Sequence, residues 1–272
     1  MITYPNIRPE IVKVGPFTVR WYGMMYLIGF ALSYLLVRYQ IKAGASRLPR
    51  LRALELGEVD SLYSYLILGL LIGARLGYVV FYNLSFYFTH PMELFAVWHG
   101  GMSFHGGLIG SVVAGFLFCK KFKLNFWHTA DLIIVTAPIG LGFGRLGNFI
   151  NGELFGRVTG VPWAMVFPSG GPLPRHPSQL YEFFLEGVVL FIVLWTLRAR
   201  HYKSGMLTAF FLVLYGAFRF FAEFFREPDE QLGFVLGMFT MGQVLSLSML
   251  LMGVMVLYLR RFKTTKNPEA GQ

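Results

Sequence analysis

Seven long apolar segments, separated by short stretches that carry most of the charge, constrain this chain more than any other feature of its sequence. They cover approximately residues 19–39, 61–83, 100–119, 129–148, 178–197, 205–226 and 237–259. About 20 apolar residues of α-helix cross the roughly 30 Å hydrocarbon core of a bilayer. Only 14% of the residues are charged, well below the roughly 25% of soluble domains. The sequence therefore predicts an all-α polytopic membrane protein, a single integral domain over residues 1–272 with about seven transmembrane helices.

The basic residues predict how this domain is oriented. Most lysines and arginines fall at residues 38–52, 120–123, 198–203 and 260–266, which lie on one side of the predicted bundle. The positive-inside rule places that side in the cytoplasm, so the N-terminus is outside and the C-terminus is cytoplasmic. The net charge of +10 does not indicate nucleic acid, because that would require a clustered basic face on a soluble fold. Membrane lipids are the expected partner.

Two outer connections differ in kind from the short basic loops. Residues 84–99 are rich in aromatic side chains and carry Glu93 as their charged residue, as expected for an interfacial arm lying on lipid. Residues 149–177 are rich in glycine and proline and too short for an independent domain. We expect this segment to form a small external head.

Ionisable residues inside the apolar segments indicate a site in the outer half of the membrane. Arg75, Arg145 and Arg219 lie roughly 20–25 Å along their helices from the cytoplasmic ends, and His105 and Glu182 lie near the outer ends of theirs. A charge at the bilayer centre costs at least about 2.5–3.5 kcal/mol, so each needs a partner, water or a functional role. For Arg75 and Glu182 the sequence leaves structural and functional roles open.

The most distinctive stretch is GRLGNFINGELFG at residues 144–156, which crosses from the fourth apolar segment to the outside. Arginine offers a planar fork for phosphate, asparagine offers neutral hydrogen bonds, and glycine allows close approach of a ligand to the backbone. The alternative is helix packing by small residues with a structural Arg–Glu pair.

This stretch and five others resemble the bacterial prolipoprotein diacylglyceryl transferases. The other motifs are WYGMMYLIGF at 21–30, GARLGYVVFYN at 73–83, GGMSFHGGLIG at 100–110, RHPSQLYE at 175–182 and YGAFRFFAEFFREPD at 215–229. They occur in one order along nearly the whole chain, which makes a chance match very unlikely.

The resemblance implies an enzyme of the bacterial inner membrane, with its active site facing the outer leaflet. Such an enzyme transfers diacylglyceryl from phosphatidylglycerol to the lipobox cysteine thiol of a preprolipoprotein, forming a thioether and releasing glycerol-1-phosphate. The substrate provides the nucleophile, so Cys119 is a bystander. A monomer without a cofactor is expected.

The resemblance also implies which residues form the site. His105, Arg145 and Arg219 are the expected catalytic residues, with the two arginines binding phosphate. Substrate binding is expected from Tyr22, Arg145, Asn148, Asn151, Glu153, Tyr215, Arg219 and Glu223, and Glu186 is expected to lie behind them.

Each of these assignments has a structural alternative. The arginines could pair with Glu153, Glu182 or Glu223 as ordinary buried charges. His105 could donate to a helix carbonyl, and within a site role it could be either the base or an orienting donor.

No metal or nucleotide site is predicted. The chain has a single cysteine, and His90, His99, His105 and His176 are scattered without the spacing of metal ligands. There is also no glycine-rich loop between a strand and a helix.

A secondary transporter or channel for an organic anion is the main alternative, because buried arginines and glycine-broken helices also suit a transport cavity. Transporters bind near the midplane and often contain repeats, whereas this chain places its polar groups in the outer half and shows no repeat. A CDP-alcohol phosphatidyltransferase would need several metal-binding aspartates, and only Asp60, Asp131 and Asp229 are present.

Overall fold

A computed structural model gives the structure of residues 2–5, 7–15, 17–44, 52–96, 100–200, 202–228, 234–235 and 239–262. The helices are α1 (Trp21–Lys42), α2 (Val59–Tyr82), α3 (Leu84–Thr89), α4 (Phe104–Phe122), α5 (Phe126–Ile134), α6 (Ala137–Asn151), α7 (Ser178–Glu182), α8 (Leu190–Leu197), α9 (Met206–Ala222) and α10 (Met241–Phe262). A π-helix (Phe183–Val189) joins α7 to α8, and short 3-10 helices cover Leu56–Glu58 and Pro91–Phe95.

Helical structure occupies all seven apolar segments, which confirms the prediction of a multi-pass helical membrane protein. Among the described residues, four helices are long and apolar enough to span a membrane: Trp21–Lys42, Leu56–Tyr82, Ser178–Leu197 and Met241–Arg260. The pair α5 and α6, bent by 43°, makes a fifth if it is counted as one span. That α4 and α9 also span the membrane stays a prediction.

The apolar surface of the long helices agrees with a lipid environment. Leu68 and Ile72 on α2 and Leu251 and Met255 on α10 are all more than half exposed. Monomeric soluble proteins rarely expose large contiguous apolar patches. In a bilayer the same side chains contact acyl chains.

Two short hairpins, which the sequence did not predict, accompany the helices. Strands β1 (Glu10–Val14) and β2 (Phe17–Arg20) pair antiparallel directly before α1, with Glu10 opposite Arg20. The turn uses Gly15 at φ +59°, a conformation that favours glycine. Strands β3 (Phe234–Val235) and β4 (Phe239–Thr240) pair directly before α10.

The chain forms two compact units, of which residues 37–132 are one. In this unit α2 and α4 pack through glycines on both helices. A Cβ atom on Gly77 would lie 2.7 Å from the Cα of Gly106, and one on Gly110 would lie 2.8 Å from the Cα of Gly73. Side chains larger than hydrogen at these positions would force the two backbones apart.

Arg75 on α2 is buried and binds backbone rather than a carboxylate. Its guanidinium donates hydrogen bonds to five carbonyl oxygens, those of Glu93, Leu94, Ala96, Gly100 and Gly101, at 2.5–3.2 Å. The first three belong to the predicted interfacial arm, of which residues 97–99 lie outside the described ranges. These contacts give Arg75 a structural role, which the sequence alone left open.

The second unit comprises residues 1–36 and 133–272. Within it, α6 packs against the π-helix at a point where two glycines meet. A Cβ atom on Gly142 would lie 3.1 Å from the Cα of Gly187, and one on Gly187 would lie 2.8 Å from the Cα of Gly142. This contact brings Arg145, one turn further along α6, beside the glutamates that precede Gly187.

The glycine contact yields a stability prediction. We expect Gly187→Ala to lower the free energy of unfolding by about 1–3 kcal/mol, the usual cost of overpacking a close contact. Gly140→Ala in α6 is the matched control, because its new methyl group would meet nothing within 4 Å. Thermal unfolding of both variants in the same detergent measures the difference. Equal unfolding midpoints would show that the close approach does not stabilise the fold.

Candidate active site

Arg145 is the first of two arginines that meet buried carboxylates within residues 1–36 and 133–272. Its Nε lies 2.7 Å from Oε2 of Glu182, and its Nη2 lies 3.4 Å from Oε2 of Glu186. Pro138 near the start of α6 cannot donate a backbone hydrogen bond, so α5 ends before it. α6 then continues to Asn151 in a direction bent by 43° from α5, and Arg145 lies in its second half.

Arg219, near the end of α9, meets the same two glutamates from another helix. Its Nη1 lies 2.6 Å from Oε1 of Glu182 and 3.8 Å from Oε1 of Glu186. Its Nη2 lies 2.7 Å from Oε2 of Glu223, one turn later on α9. Glu182 therefore bridges the two arginines, with one carboxylate oxygen toward each.

All three carboxylates are closed off from solvent. Glu182 is 1% exposed, Glu186 is 0% exposed and Glu223 is 4% exposed. Glu186 contacts both arginines directly, and its place behind the residues that bind substrate stays a prediction. We call Arg145, Arg219, Glu182, Glu186 and Glu223 the ion cluster.

The backbone of the π-helix explains how one helix presents both glutamates. Glu182 ends α7, and Glu186 lies inside the wider π turn. A π segment adds a residue to the helical turn and often occurs at functional sites. It changes the angle between successive side chains, and here both carboxylates face the same pair of arginines.

Hydrogen bonding in the ion cluster is less complete than its charge pairing. Oε1 of Glu182 and Nη1 of Arg219 are 2.6 Å apart, yet neither atom makes a hydrogen bond of good geometry. The distance establishes the ion pair, since attraction between charges depends weakly on direction, whereas a hydrogen bond needs the N–H to point at the oxygen.

A second polar group lies at the end of α6. The side-chain amides of Asn148 and Asn151 donate to Oε1 of Glu153 at 2.9 and 3.2 Å. The Glu153 carboxylate is therefore paired with these two amides. Of the three carboxylates considered as structural partners of the arginines, the described residues show Glu182 and Glu223 in that role and not Glu153.

Two buried side chains fix the turn that carries Glu153. Gln179 donates to the carbonyl of Glu153 at 2.7 Å, and Ser178 donates to the carbonyl of Leu154 at 3.1 Å. Leu154 adopts φ +57°, a left-handed conformation that side chains larger than glycine rarely adopt. Such strain persists where the surrounding structure holds it and is common at functional sites.

The two tyrosines predicted for the site both interact electrostatically with its charged residues. The hydroxyl groups of Tyr22 and Tyr26 are 3.0 Å apart, and Tyr22 interacts with Glu153 and Arg145. Tyr215 on α9 interacts with Glu186 and with both arginines of the ion cluster.

His105 belongs to the other compact unit, residues 37–132. It lies in the first turn of α4, where its side chain is exposed. Ser103 caps this helix, since its hydroxyl accepts a hydrogen bond from the backbone N–H of Gly106 at 3.3 Å. A role for His105 in the site stays a prediction.

His176 lies in the segment before α7 and is bound to neighbouring side chains. Its Nδ1 lies 3.0 Å from the hydroxyl of Tyr181, which accepts a hydrogen bond from the indole of Trp163 at 2.7 Å. An indole N–H only donates, so the Tyr181 hydroxyl accepts from Trp163, and the direction of its bond with Nδ1 of His176 depends on the histidine tautomer. Burial also lowers the pKa of His176, so this side chain favours the neutral form.

Metal-ligand geometry is absent from the part of the chain that the structure describes. No group of three or more His, Cys, Asp or Glu side chains is placed there to hold a metal ion. His99 lies outside the described residues. Independence from metals stays a prediction of the sequence.

Thr240 contacts the ion cluster and Gln243 supports Thr240, and neither residue was predicted for the site. Thr240 donates to Oε1 of Glu223 at 3.0 Å, and Gln243 shares hydrogen bonds with Thr240. The sequence carries a signal for them, because Thr-Met-Gly-Gln at 240–243 has the S/T-x-x-E/Q pattern that starts a helix.

These features define a multi-pass membrane protein with a pair of arginines that can bind an oxyanion. The planar guanidinium group matches the geometry of phosphate and carboxylate, and three carboxylates fix the orientation of the two guanidinium groups. Residues 9–259 match the sequence model of the prolipoprotein diacylglyceryl transferases. The chain belongs to this family of transferases, which confirms the resemblance read from its motifs.

Close relatives support the same assignment over nearly the whole chain. The chain is 53% identical over 264 residues to a phosphatidylglycerol–prolipoprotein diacylglyceryl transferase of Desulfotalea psychrophila, covering 95% of each protein. It is 51% identical over 251 residues to the enzyme of that name from Geobacter sulfurreducens, covering 92% of this chain and 94% of the relative. The corresponding protein of Coxiella burnetii is 51% identical over 259 residues, or 95% and 97% of the two chains.

The ion cluster yields a stability prediction. Glu186→Ala removes a carboxylate that contacts both arginines and leaves their buried N–H groups with one partner fewer, so we expect the free energy of unfolding to fall by about 1–3 kcal/mol. Glu227→Ala is the control: its pair with Arg175 spans 3.0 Å, but the Glu227 side chain is 43% exposed. Exposed pairs contribute about 0–1 kcal/mol. Denaturant titration in detergent compares the variants, and a loss as small for Glu186→Ala as for the control would contradict the importance of this carboxylate.

Proposed function

We propose that the protein transfers the diacylglyceryl group of phosphatidylglycerol to the lipobox cysteine thiol of preprolipoproteins. The product is a thioether, and glycerol-1-phosphate is released. The names of the relatives and the family membership support this activity. The observation that carries it in this chain is the pair of guanidinium groups of Arg145 and Arg219, bridged by the buried carboxylate of Glu182.

The reaction explains why such a pair is needed. The thiol sulfur of the substrate attacks the glyceryl carbon that bears the phosphate, a carbon–sulfur bond forms, and the carbon–oxygen bond breaks. The electron pair of that bond leaves with the phosphate, so negative charge grows on the phosphate oxygens. Arg145 and Arg219 stabilise this charge, and preorganised donors of this kind often supply the largest part of catalysis.

The carboxylates of the ion cluster keep the arginines in place before lipid binds. Arg145 contacts them through Nε and Nη2, and in this proposal its Nη1 donates to the phosphate. Because the guanidinium groups are already oriented, little reorganisation accompanies binding of the phosphate.

The polar group at the end of α6 binds the glyceryl part of the lipid and its phosphate. The side-chain amides of Asn148 and Asn151 donate hydrogen bonds to glyceryl or phosphate oxygens, and the Glu153 carboxylate accepts from a glycerol hydroxyl. Tyr22 and Tyr215 contribute hydroxyl groups to the same site. The observed bonds of the two asparagines to Glu153 hold these side chains in fixed positions.

His105 accepts the thiol proton as the general base in this mechanism. A free thiol titrates near pH 8.5, so a base or a stabilised thiolate is needed near neutral pH. Imidazole suits this step because it titrates near neutral pH.

The finer membrane arrangement is also part of the proposal. We place the protein in the bacterial inner membrane with seven spans, the N-terminus outside and the C-terminus in the cytoplasm. Residues 149–177 form a small external head, residues 84–99 an interfacial arm, and the active site faces the outer leaflet. The protein acts as a single membrane domain and as a monomer. The excess of basic residues on one side supports this orientation.

The transporter alternative is not favoured. The family and its relatives are named as transferases, and no relative among them is named as a transporter.

Lipid selectivity tests the proposed function. With purified full-length protein and a lipobox peptide, we expect phosphatidylglycerol to give a peptide mass gain with matching release of glycerol phosphate. Diacylglycerol should give none, because it lacks both the phosphate that the arginines bind and a competent leaving group. Mass spectrometry and phosphate analysis measure both products. Equal modification with either lipid would exclude the mechanism.

The pH dependence of a histidine variant tests the base. His105→Gln keeps hydrogen bonding but cannot accept a proton, so we expect the largest loss of rate at low pH. Partial recovery should appear at high pH, where the peptide thiol ionises unaided. His90→Gln is the control, since His90 is also exposed and bonds its neighbour Thr89. A loss that is the same at every pH would assign His105 to orientation rather than proton transfer.

A further inference from the structure

The first turn of α10 is closed by a reciprocal pair of hydrogen bonds. The backbone N–H of Thr240 donates to Oε1 of Gln243 at 3.0 Å, and the backbone N–H of Gln243 donates to the hydroxyl of Thr240 at 3.2 Å. This is the capping box of a helix N-terminus. Both side chains are buried, with 2% and 4% exposure.

The same hydroxyl reaches the ion cluster. Having accepted the N–H of Gln243, the Thr240 hydroxyl donates its own proton to Oε1 of Glu223 at 3.0 Å. The other oxygen of Glu223 lies 2.7 Å from Nη2 of Arg219. A continuous chain of contacts therefore runs from the start of α10 through Thr240 and Glu223 to Arg219.

Gly242 makes room for this arrangement. A Cβ atom on Gly242 would lie 2.5–2.8 Å from the carboxylate atoms of Glu223, so only glycine allows the carboxylate to lie against the first turn of α10. The N-terminal end of a helix carries partial positive charge and stabilises an anion near it. The helix terminus and the hydroxyl thus hold the same carboxylate from two sides.

We infer that Thr240 and Gly242 are positioning residues for Arg219, acting through Glu223, and this inference rests on the proposed function. One oxygen of the Glu223 carboxylate is bound by Thr240 and the other by Arg219, so the carboxylate cannot rotate without losing a contact. The guanidinium of Arg219 then keeps a fixed orientation toward the departing phosphate. α10 contributes to the reaction in this way without touching the substrate.

Three variants of the full-length protein test the inference. Thr240→Val keeps the shape of the side chain but removes the hydroxyl, and we expect kcat to fall roughly 10- to 100-fold, the scale for misplacing a catalytic group by about 1 Å. Thr240→Ser keeps the hydroxyl and should restore most of the rate. Gly242→Ala displaces the carboxylate and should resemble Thr240→Val. In each case KM for phosphatidylglycerol should change much less than kcat.

A matched control separates this role from general stability. Ser248→Ala also removes a hydroxyl from α10, but Ser248 is exposed and bonds only the carbonyl of Val244 among the described residues. We expect near-normal kcat for this variant. All rates are normalised to the folded fraction, measured by size-exclusion chromatography and thermal unfolding.

A double-mutant cycle isolates the route through Glu223. If Thr240 acts on Arg219 only through this carboxylate, Thr240→Val should cost no more than about twofold in the Glu223→Gln background. If Glu223→Gln is too slow to measure, Gly242→Ala takes its place, since it displaces the same carboxylate. Multiplicative losses, or failure of Thr240→Ser to recover the rate, would overturn the inference.

The outcomes also distinguish this inference from the proposed function. If the unmodified protein does not transfer diacylglyceryl, the proposed function fails. If it does, and Thr240→Val matches Ser248→Ala in kcat, the proposed function stands and the positioning role fails.

Discussion

Attraction between two arginines, one partly buried and one buried, and three buried glutamates is the interaction on which the unit of residues 1–36 and 133–272 depends. Charges removed from water lose several kcal/mol of hydration each, and only close, well-placed partners offset that loss. Here Glu182 meets both Arg145 and Arg219, at 2.7 and 2.6 Å. The elements that carry these residues, α6, the 178–189 segment and α9, are therefore tied to one another by charge as well as by packing.

The backbone is shaped to allow this meeting. Gly142 and Gly187 let α6 and the π-helix approach closely, and the π turn presents Glu182 and Glu186 to the same side. Pro138 ends the preceding helix, and Gly152, at φ +66°, ends α6 and starts the turn that carries Glu153. Each of these local features departs from a regular helix, and each serves to place a polar side chain.

The helices and several residues of the candidate site were predictable from the sequence, because membrane helices are recognised by their length and hydropathy. The seven apolar segments and the two site arginines followed from periodicity, depth and motif. The contact of Glu186 with both arginines did not follow, because a π turn has no sequence signature and an i, i+4 pair in an α-helix does not specify which partners it meets. Asn148 and Asn151 were predicted for the site, but their bonds to Glu153 depend on a strained turn at Leu154. The role of Thr240 was visible as a capping pattern, yet the pattern alone does not say that a carboxylate shares the hydroxyl.

Arg75 shows another use of a buried cation in the same chain. In water, the carbonyl groups of an irregular connection are solvated, whereas hydrocarbon offers them no donors. Five such carbonyls between Glu93 and Gly101 converge on one guanidinium. One side chain thus replaces a local hydration shell for five carbonyls, two of them in the 3-10 helix Pro91–Phe95 and three beyond it, at Ala96, Gly100 and Gly101.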